Sequence, residues 1–189
     1  MSEAKTFSWS QISGWRRECH ARFGSILDMP VAQDWVVEFQ RLLKPDSRVL
    51  DVGAGRDKTH RKHLTGEGQR YFSLDVDPAG EFDYRSFDEV PAGDTFDVML
   101  CNQVFEHLSI AESASLLTGA FAYLASGGFY LATVPNVAHP VRYWADVTHI
   151  THWPVGDFYG LFRSIGFEVD LVARTNKKPL PRNPLKRFI

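Results

Sequence analysis

The spacing of apolar residues changes character along the chain. From Trp9 to Phe23, the residues Trp9, Ile12, Trp15, Cys19 and Phe23 recur at steps of three and four, which predicts a helix with one apolar face. A second helical pattern covers about 31–43, with Trp35, Val36, Phe39, Leu42 and Leu43 apolar, and Lys44-Pro45-Asp46 ends it. Five short β-rich runs follow, at 48–52, 71–74, 96–100, 129–134 and 167–172. Between them, Ser109 and Glu112 have capping-box spacing ahead of an apolar run to Leu124. Pro154 opens another helix carrying Phe158, Leu161, Phe162 and Ile165, and Gly166 stops it. Strands alternating with helices predict an α/β fold with a doubly wound, mostly parallel sheet.

Two stretches depart from that rhythm. From Asp75 to Tyr84 there is too little chain for a crossover helix, so a strand near Tyr84 is short or irregularly joined. Beyond Ala173 come Pro179, Pro181 and Pro184 among Lys177, Lys178, Arg182, Lys186 and Arg187, an extended basic tail. The expected organisation is a helical cap over 1–45, a core over 46–175 and a tail over 176–189, with a last strand that is short or missing.

Composition narrows the class. The 189 residues are 44% hydrophobic and 23% charged, enough for one sizeable core. A net charge of −2 argues for no nucleic-acid partner. Cys19 and Cys101 stand far apart and outside any metal spacing, which favours a reducing compartment. No apolar run approaches a membrane span, and the polar start MSEAKTFSWSQ has no signal-peptide core. A cytoplasmic location is therefore expected; oligomeric state is not legible.

The chemistry concentrates at 49–57, where a strand runs into Gly53-Ala54-Gly55. Glycines there let a ligand approach the backbone. A dinucleotide fingerprint would place its third glycine at Lys58, and a phosphate-binding P-loop is absent. Asp51 and Asp57 flank the glycines and would repel a pyrophosphate, but attract an ammonium or sulfonium. Asp75, about twenty residues on at a strand end, suits ribose hydroxyls.

Several segments together resemble the class I S-adenosylmethionine-dependent methyltransferases. Leu50-Asp51-Val52-Gly53-Ala54-Gly55 looks like their first motif and Phe72-Ser73-Leu74-Asp75-Val76-Asp77-Pro78 like their second. The run from Phe96 to Leu108 resembles the fourth-strand motif of the small-molecule and lipid-precursor branch. Leu124-Ala125-Ser126-Gly127-Gly128-Phe129 resembles the turn before the fifth strand, and Asp146-Val147-Thr148-His149-Ile150 with Gly166-Phe167 a late segment of that branch. The resemblance implies S-adenosylmethionine as cofactor. It places Gly53 and Gly55 along the cofactor, Asp51 at its amino group, Asp75 at the ribose and Val76 against the adenine. Ser86 or Asp88 would cap the adenine amine, and Cys101, Asn102 and Gln103 would line the methionine end. Asp57 stands where the family's usual third glycine would be.

The acceptor side is read from Asp146, His149 and His152, three residues apart among Tyr143, Trp144 and Trp153. On a helical turn they would share a face, as a polar patch, as metal ligands or around a general base. No metal is expected. An oxygen or nitrogen acceptor must lose a proton, and histidine suits that role; His149 is the first candidate base, His107 and Asp146 the second. Glu106 is read as a polar residue fixing the turn after the fourth-strand motif. The expected activity is methylation of a small organic acceptor at oxygen or nitrogen. The alternative is an inactive S-adenosylmethionine-binding module serving as sensor or partner subunit. A nucleotide-dependent oxidoreductase is disfavoured by Lys58.

Overall fold

The computed structural model describes residues 9–32, 34–66, 68–139, 141 and 143–175. The basic tail over 176–189 and any strand stub from Lys186 to Ile189 lie outside the described residues. Helix α1 covers Trp9–Phe23, strand β1 Val31–Ala32, helix α2 Trp35–Leu42 and strand β2 Arg48–Val52. Helix α3 (Arg61–Leu64), strand β3 (Arg70–Leu74) and strand β4 (Phe96–Asn102) follow. Helix α4 (Ile110–Tyr123), strand β5 (Leu124–Thr133), helix α5 (Val155–Ile165) and strand β6 (Arg174–Thr175) complete the order.

The main sheet has the order β3-β2-β4-β5, parallel throughout. Strands β2 and β4 are central and apolar on both faces, as a covered parallel sheet requires. Alternation then sorts their side chains between two layers. Leu50, Val52, Met99 and Cys101 enter the larger core with Leu117 of α4 and Leu161 and Phe162 of α5. Val49, Val98 and Leu100 meet Trp35 and Phe39 of α2 and Leu64 of α3. The result is a Rossmann-like sandwich of helices on both faces of the sheet.

Local chemistry explains the element ends. Asp34 caps α2 by accepting from the Val36 amide. Ser109 and Glu112 form the full capping box of α4, worth about 1 kcal/mol. Gly166 ends α5 at φ 126°, a conformation that L side chains rarely adopt. Helix α1 packs along α5, where Cys19, Met29 and Tyr159 form a third cluster with Trp15 and Phe23.

Three expectations need correction. The stretch 31–43 is not one helix: Val31 and Ala32 pair in parallel with Arg174 and Thr175, and α2 begins only at Trp35. The run 167–172 is not a strand. Alternation holds for four residues, with Phe167 and Val169 turned to the core and Glu168 and Asp170 exposed, and breaks at Leu171, which is exposed. Alternation dictates facing, however, and a strand also needs a paired neighbour; this segment leads instead to β6. The glycines at 127 and 128 lie inside β5, which bulges between its pairings Phe96↔Leu124 and Val98↔Phe129. The short link after β3 closes as an isolated bridge from Leu74 to Tyr84, the irregular join that its length predicts.

Candidate active site

Strand β2 pairs with β3 on one side and β4 on the other, although β3 comes first in the chain. That reversal opens a crevice beyond the carboxyl ends of the strands, where ligands of such sheets bind. Four loops converge there: 53–57 after β2, 75–77 after β3, 103–107 after β4 and the chain leaving β5.

The β2 loop is held by backbone bonds. The amides of Gly53 and Ala54 donate to the Leu74 carbonyl at 2.8 and 3.3 Å, and Gly55 N donates to Asp75 Oδ2 at 2.8 Å. Gly53 and Gly55 both have positive φ, 75° and 67°. A Cβ on Gly53 would overlap Val104, whereas one on Gly55 meets open space. The first glycine is thus required by packing of the β4 loop, and the second leaves the crevice clear. Gln103, at φ 58°, takes a conformation uncommon for non-glycine residues and concentrated at functional sites.

Asp51 is fully buried. Its Oδ2 accepts from the Tyr71 hydroxyl at 2.9 Å, and its Oδ1 has no hydrogen-bond partner. Burial pushes its carboxyl up to about 6; the Asp75 charge adds to this and the Tyr71 bond opposes it. Asp75 receives Gly55 N and, on Oδ1, Asp77 N at 2.9 Å. Val76 beside it is 79% exposed. Asp77 pairs with Arg56 at 2.6 Å, which holds its carboxyl below the usual range. Ser86 opens the 3-10 turn Phe87–Glu89, and exposed Asp88 lies on it.

At the end of β4 the alternation separates the expected lining residues. The Cys101 side chain is in the core with Tyr130, and burial pushes its thiol up to about 12; it does not line the crevice. Asn102 accepts from Thr133 Oγ1 at 2.6 Å and contacts His60 Nε2 at 3.1 Å. Gln103 is exposed, with its amide nitrogen 3.1 Å from Thr133 Oγ1.

On the acceptor side, Asp146, His149 and His152 lie in irregular chain rather than on a helix. Asp146 Oδ2 is 3.9 Å from His149 Nε2, while His152 is exposed and stands edge-on to Tyr143. The amides of Ile150 and Thr151 donate to the Glu106 carbonyl at 2.9 and 3.1 Å. That docking stacks His149 on His107 edge to face, with centroids 4.9 Å apart. His149 Nδ1 donates to the Tyr143 carbonyl at 2.7 Å. Thr148 Oγ1 donates to Asp146 at 2.6 Å and so must accept from His107 Nδ1 at 3.0 Å. Nδ1 is thus the donor in both imidazoles, and in the neutral ring the lone pair lies on Nε2. Thr148 holds the Asp146 carboxyl below the usual range.

The sequence pattern alone makes Glu106 a turn-fixing polar residue. It is 1% exposed, and neither carboxylate oxygen meets a donor at bonding geometry. Burial raises its carboxyl, with its own amide, His107 and His149 opposing. Tyr71 also escaped the sequence reading, although it sits on the strand next to Asp51 and on the same face of the sheet. The Glu106-His107 dipeptide just past an apolar strand was the available signal for the first; nothing in the sequence pairs it with His149.

The profile of a methyltransferase domain matches residues 27–172. No curated protein matches the chain. Among solved structures, a SAM-dependent methyltransferase from Archaeoglobus fulgidus is 18% identical, with a TM-score of 0.58 over 81% of this chain and 69% of that one. A TehB-like SAM-dependent methyltransferase from Corynebacterium glutamicum is 16% identical, with a TM-score of 0.53 over 85% and 84%. An S-adenosylmethionine-dependent methyltransferase from Mesorhizobium loti is 13% identical, with a TM-score of 0.50 over 71% and 81%. At such identities the structural likeness is one of fold. The profile covers most of the chain, and on that ground the chain belongs to the methyltransferase-domain family.

Proposed function

We propose that this domain methylates an oxygen or nitrogen of a small organic acceptor, with S-adenosylmethionine as donor. The observation that carries the reading is Asp51: a buried carboxylate with one orphaned oxygen, at the foot of the glycine loop and at the point where strand order reverses. A buried carboxylate without full partnering is costly, and a cationic amino group placed there relieves the cost. The surroundings fit the cofactor in three further ways. Gly55 leaves its Cβ face open. Asp75 is oriented by two backbone amides, and its remaining lone pairs suit ribose hydroxyls. Exposed Val76 offers an apolar face for the adenine. Ser86 or Asp88 would receive the adenine amine, and Gln103 would lie along the methionine portion.

When bound, the cofactor supplies a methyl group on a positively charged sulfur. The protein's part is to hold the acceptor in line with it, and orientation can contribute several kcal/mol. The acceptor face is formed by His149, His107 and Asp146. Trp144, Val147 and Ile150, exposed on the same segment, offer an apolar surface to an organic molecule. There the acceptor loses its proton, and His149 is the residue whose loss costs most.

Calorimetric titration with S-adenosylmethionine and its demethylated product, with NAD as control, tests the cofactor assignment on wild type and Asp75→Asn. Saturable binding of both adenosyl ligands, weakened in the variant and absent for NAD, is expected. A folded sample that binds neither removes the reading. Acceptor screening with His149→Ala alongside then separates an enzyme from a binding module, since a module would be indifferent to that substitution.

A further inference from the structure

The cluster at the acceptor face has the composition of a metal site. One oxygen of Glu106 and one nitrogen each of His107 and His149 lie within 4.8 Å of one another. Independently, Glu106 is 1% exposed with both carboxylate oxygens unpartnered. A turn-fixing glutamate would bond the backbone amide of another residue; the one amide that acts on this carboxylate is its own, and the side chain is buried against two imidazoles. The imidazoles are set as ligands are. In each, Nδ1 is taken up by protein acceptors: the Tyr143 carbonyl for His149, and the Thr148 carbonyl and hydroxyl for His107. Protein metal sites orient histidine ligands in this way, leaving the other nitrogen for the ion.

We propose that Glu106, His107 and His149 bind one divalent transition-metal cation, through a carboxylate oxygen and the two imidazole nitrogens that carry lone pairs, and that this cation receives the acceptor's hydroxyl. Two imidazoles and one carboxylate suit Zn²⁺ and its first-row neighbours. Ligand atoms about 2.0–2.2 Å from an ion stand closer together than the present 4.8 Å, so the three side chains would turn inward on binding. Three protein ligands leave a position open. His107 is exposed, so the open side faces solvent. The site lies one 3-10 turn from Val104, which packs on Gly53, and so adjoins the cofactor crevice. Asp146, 3.9 Å from His149, is an outer carboxylate. A cation there lowers the pKa of a bound hydroxyl, and the proton leaves to solvent. The acceptor role rests on the proposed methyltransferase reading and narrows it to a hydroxyl-bearing acceptor; the ion site does not depend on it.

The test is titration of the chelator-stripped full chain with Co²⁺, followed by its visible absorption and by calorimetry. Wild type should bind one Co²⁺ with ligand-field bands. Glu106→Gln, His149→Ala and His107→Ala should each weaken binding more than tenfold. Glu106→Gln, which removes a buried unpartnered charge, should also raise the Tm of the metal-free protein and abolish the rise that Co²⁺ gives wild type. A glutamate that only fixes the turn would lower Tm when changed. Co²⁺ bound equally by wild type, Glu106→Gln and His149→Ala would overturn the site, as would no binding to folded wild type. S-adenosylmethionine titrated into the same samples separates the two readings. Cofactor binding without Co²⁺ binding overturns the ion alone; the reverse supports the ion and removes the methyltransferase reading.

Discussion

Asp51 sets the chemistry and the pH behaviour of the crevice. Its folded-state carboxyl titrates at about 6, above the ordinary 3.8. Between those values the folded protein holds a proton that the unfolded chain has released. Stability from this group is therefore greatest below about pH 4, falls as pH rises to about 6, and is flat above. Asp51→Asn should remove that slope and raise stability at pH 7 by about 2–3 kcal/mol, read by urea melts at pH 4, 6 and 7. The same change should abolish S-adenosylmethionine binding. In wild type, that binding should be about tenfold weaker at pH 5 than at pH 7, because the carboxylate must be ionised. The two loop glycines make a second residue-scale contrast. Both have positive φ, so alanine at either costs about 1–2 kcal/mol of strain. Gly53→Ala should lose about 1–3 kcal/mol more through overpacking on Val104, read as a difference in denaturant midpoint.

Among the elements, α4 and the 143–151 segment respond differently to substitution. The capping box on α4 follows the 103–107 loop and is no part of the cofactor contacts, and Ser109→Ala should cost about 1 kcal/mol with cofactor affinity unchanged. The 143–151 segment is tied down by the Ile150 and Thr151 amides at the Glu106 carbonyl. Ile150→Pro deletes one of those donors. It should lower turnover tenfold or more by releasing His149 from His107, while cofactor affinity stays within twofold; calorimetry and a methylation assay read the two separately. Helix boundaries were largely legible because caps and periodicity are local: α1, β2 and the capping box of α4 fall where the pattern puts them. The run 167–172 was not, because its alternation reports which side chains face the core and carries no information about whether a neighbouring strand is present.

For the whole molecule, α1 is part of the packed body rather than a separate leaf. Gly160 on α5 lies under Trp15, where an added Cβ would stand 3.0 Å from the Trp15 Cβ. Gly160→Leu should destabilise by about 1–3 kcal/mol and speed proteolysis at Arg16 and Arg17, leaving cofactor affinity in the folded protein unchanged. No described helix is long and apolar enough to cross a membrane.

The chain by itself determined the α/β order, the glycine loop, and the acids Asp51 and Asp75 at strand ends, because each rests on spacing over a few residues. It also carried Glu106, His107 and His149, but not their meeting. Only the tertiary structure decided that Cys101 turns into the core while Glu106 lies beneath two imidazoles. The physical reason is that burial and long-range pairing are properties of packed layers. A one-residue change of facing along β4, or the docking of a loop 44 residues downstream on one carbonyl, leaves no trace in local periodicity.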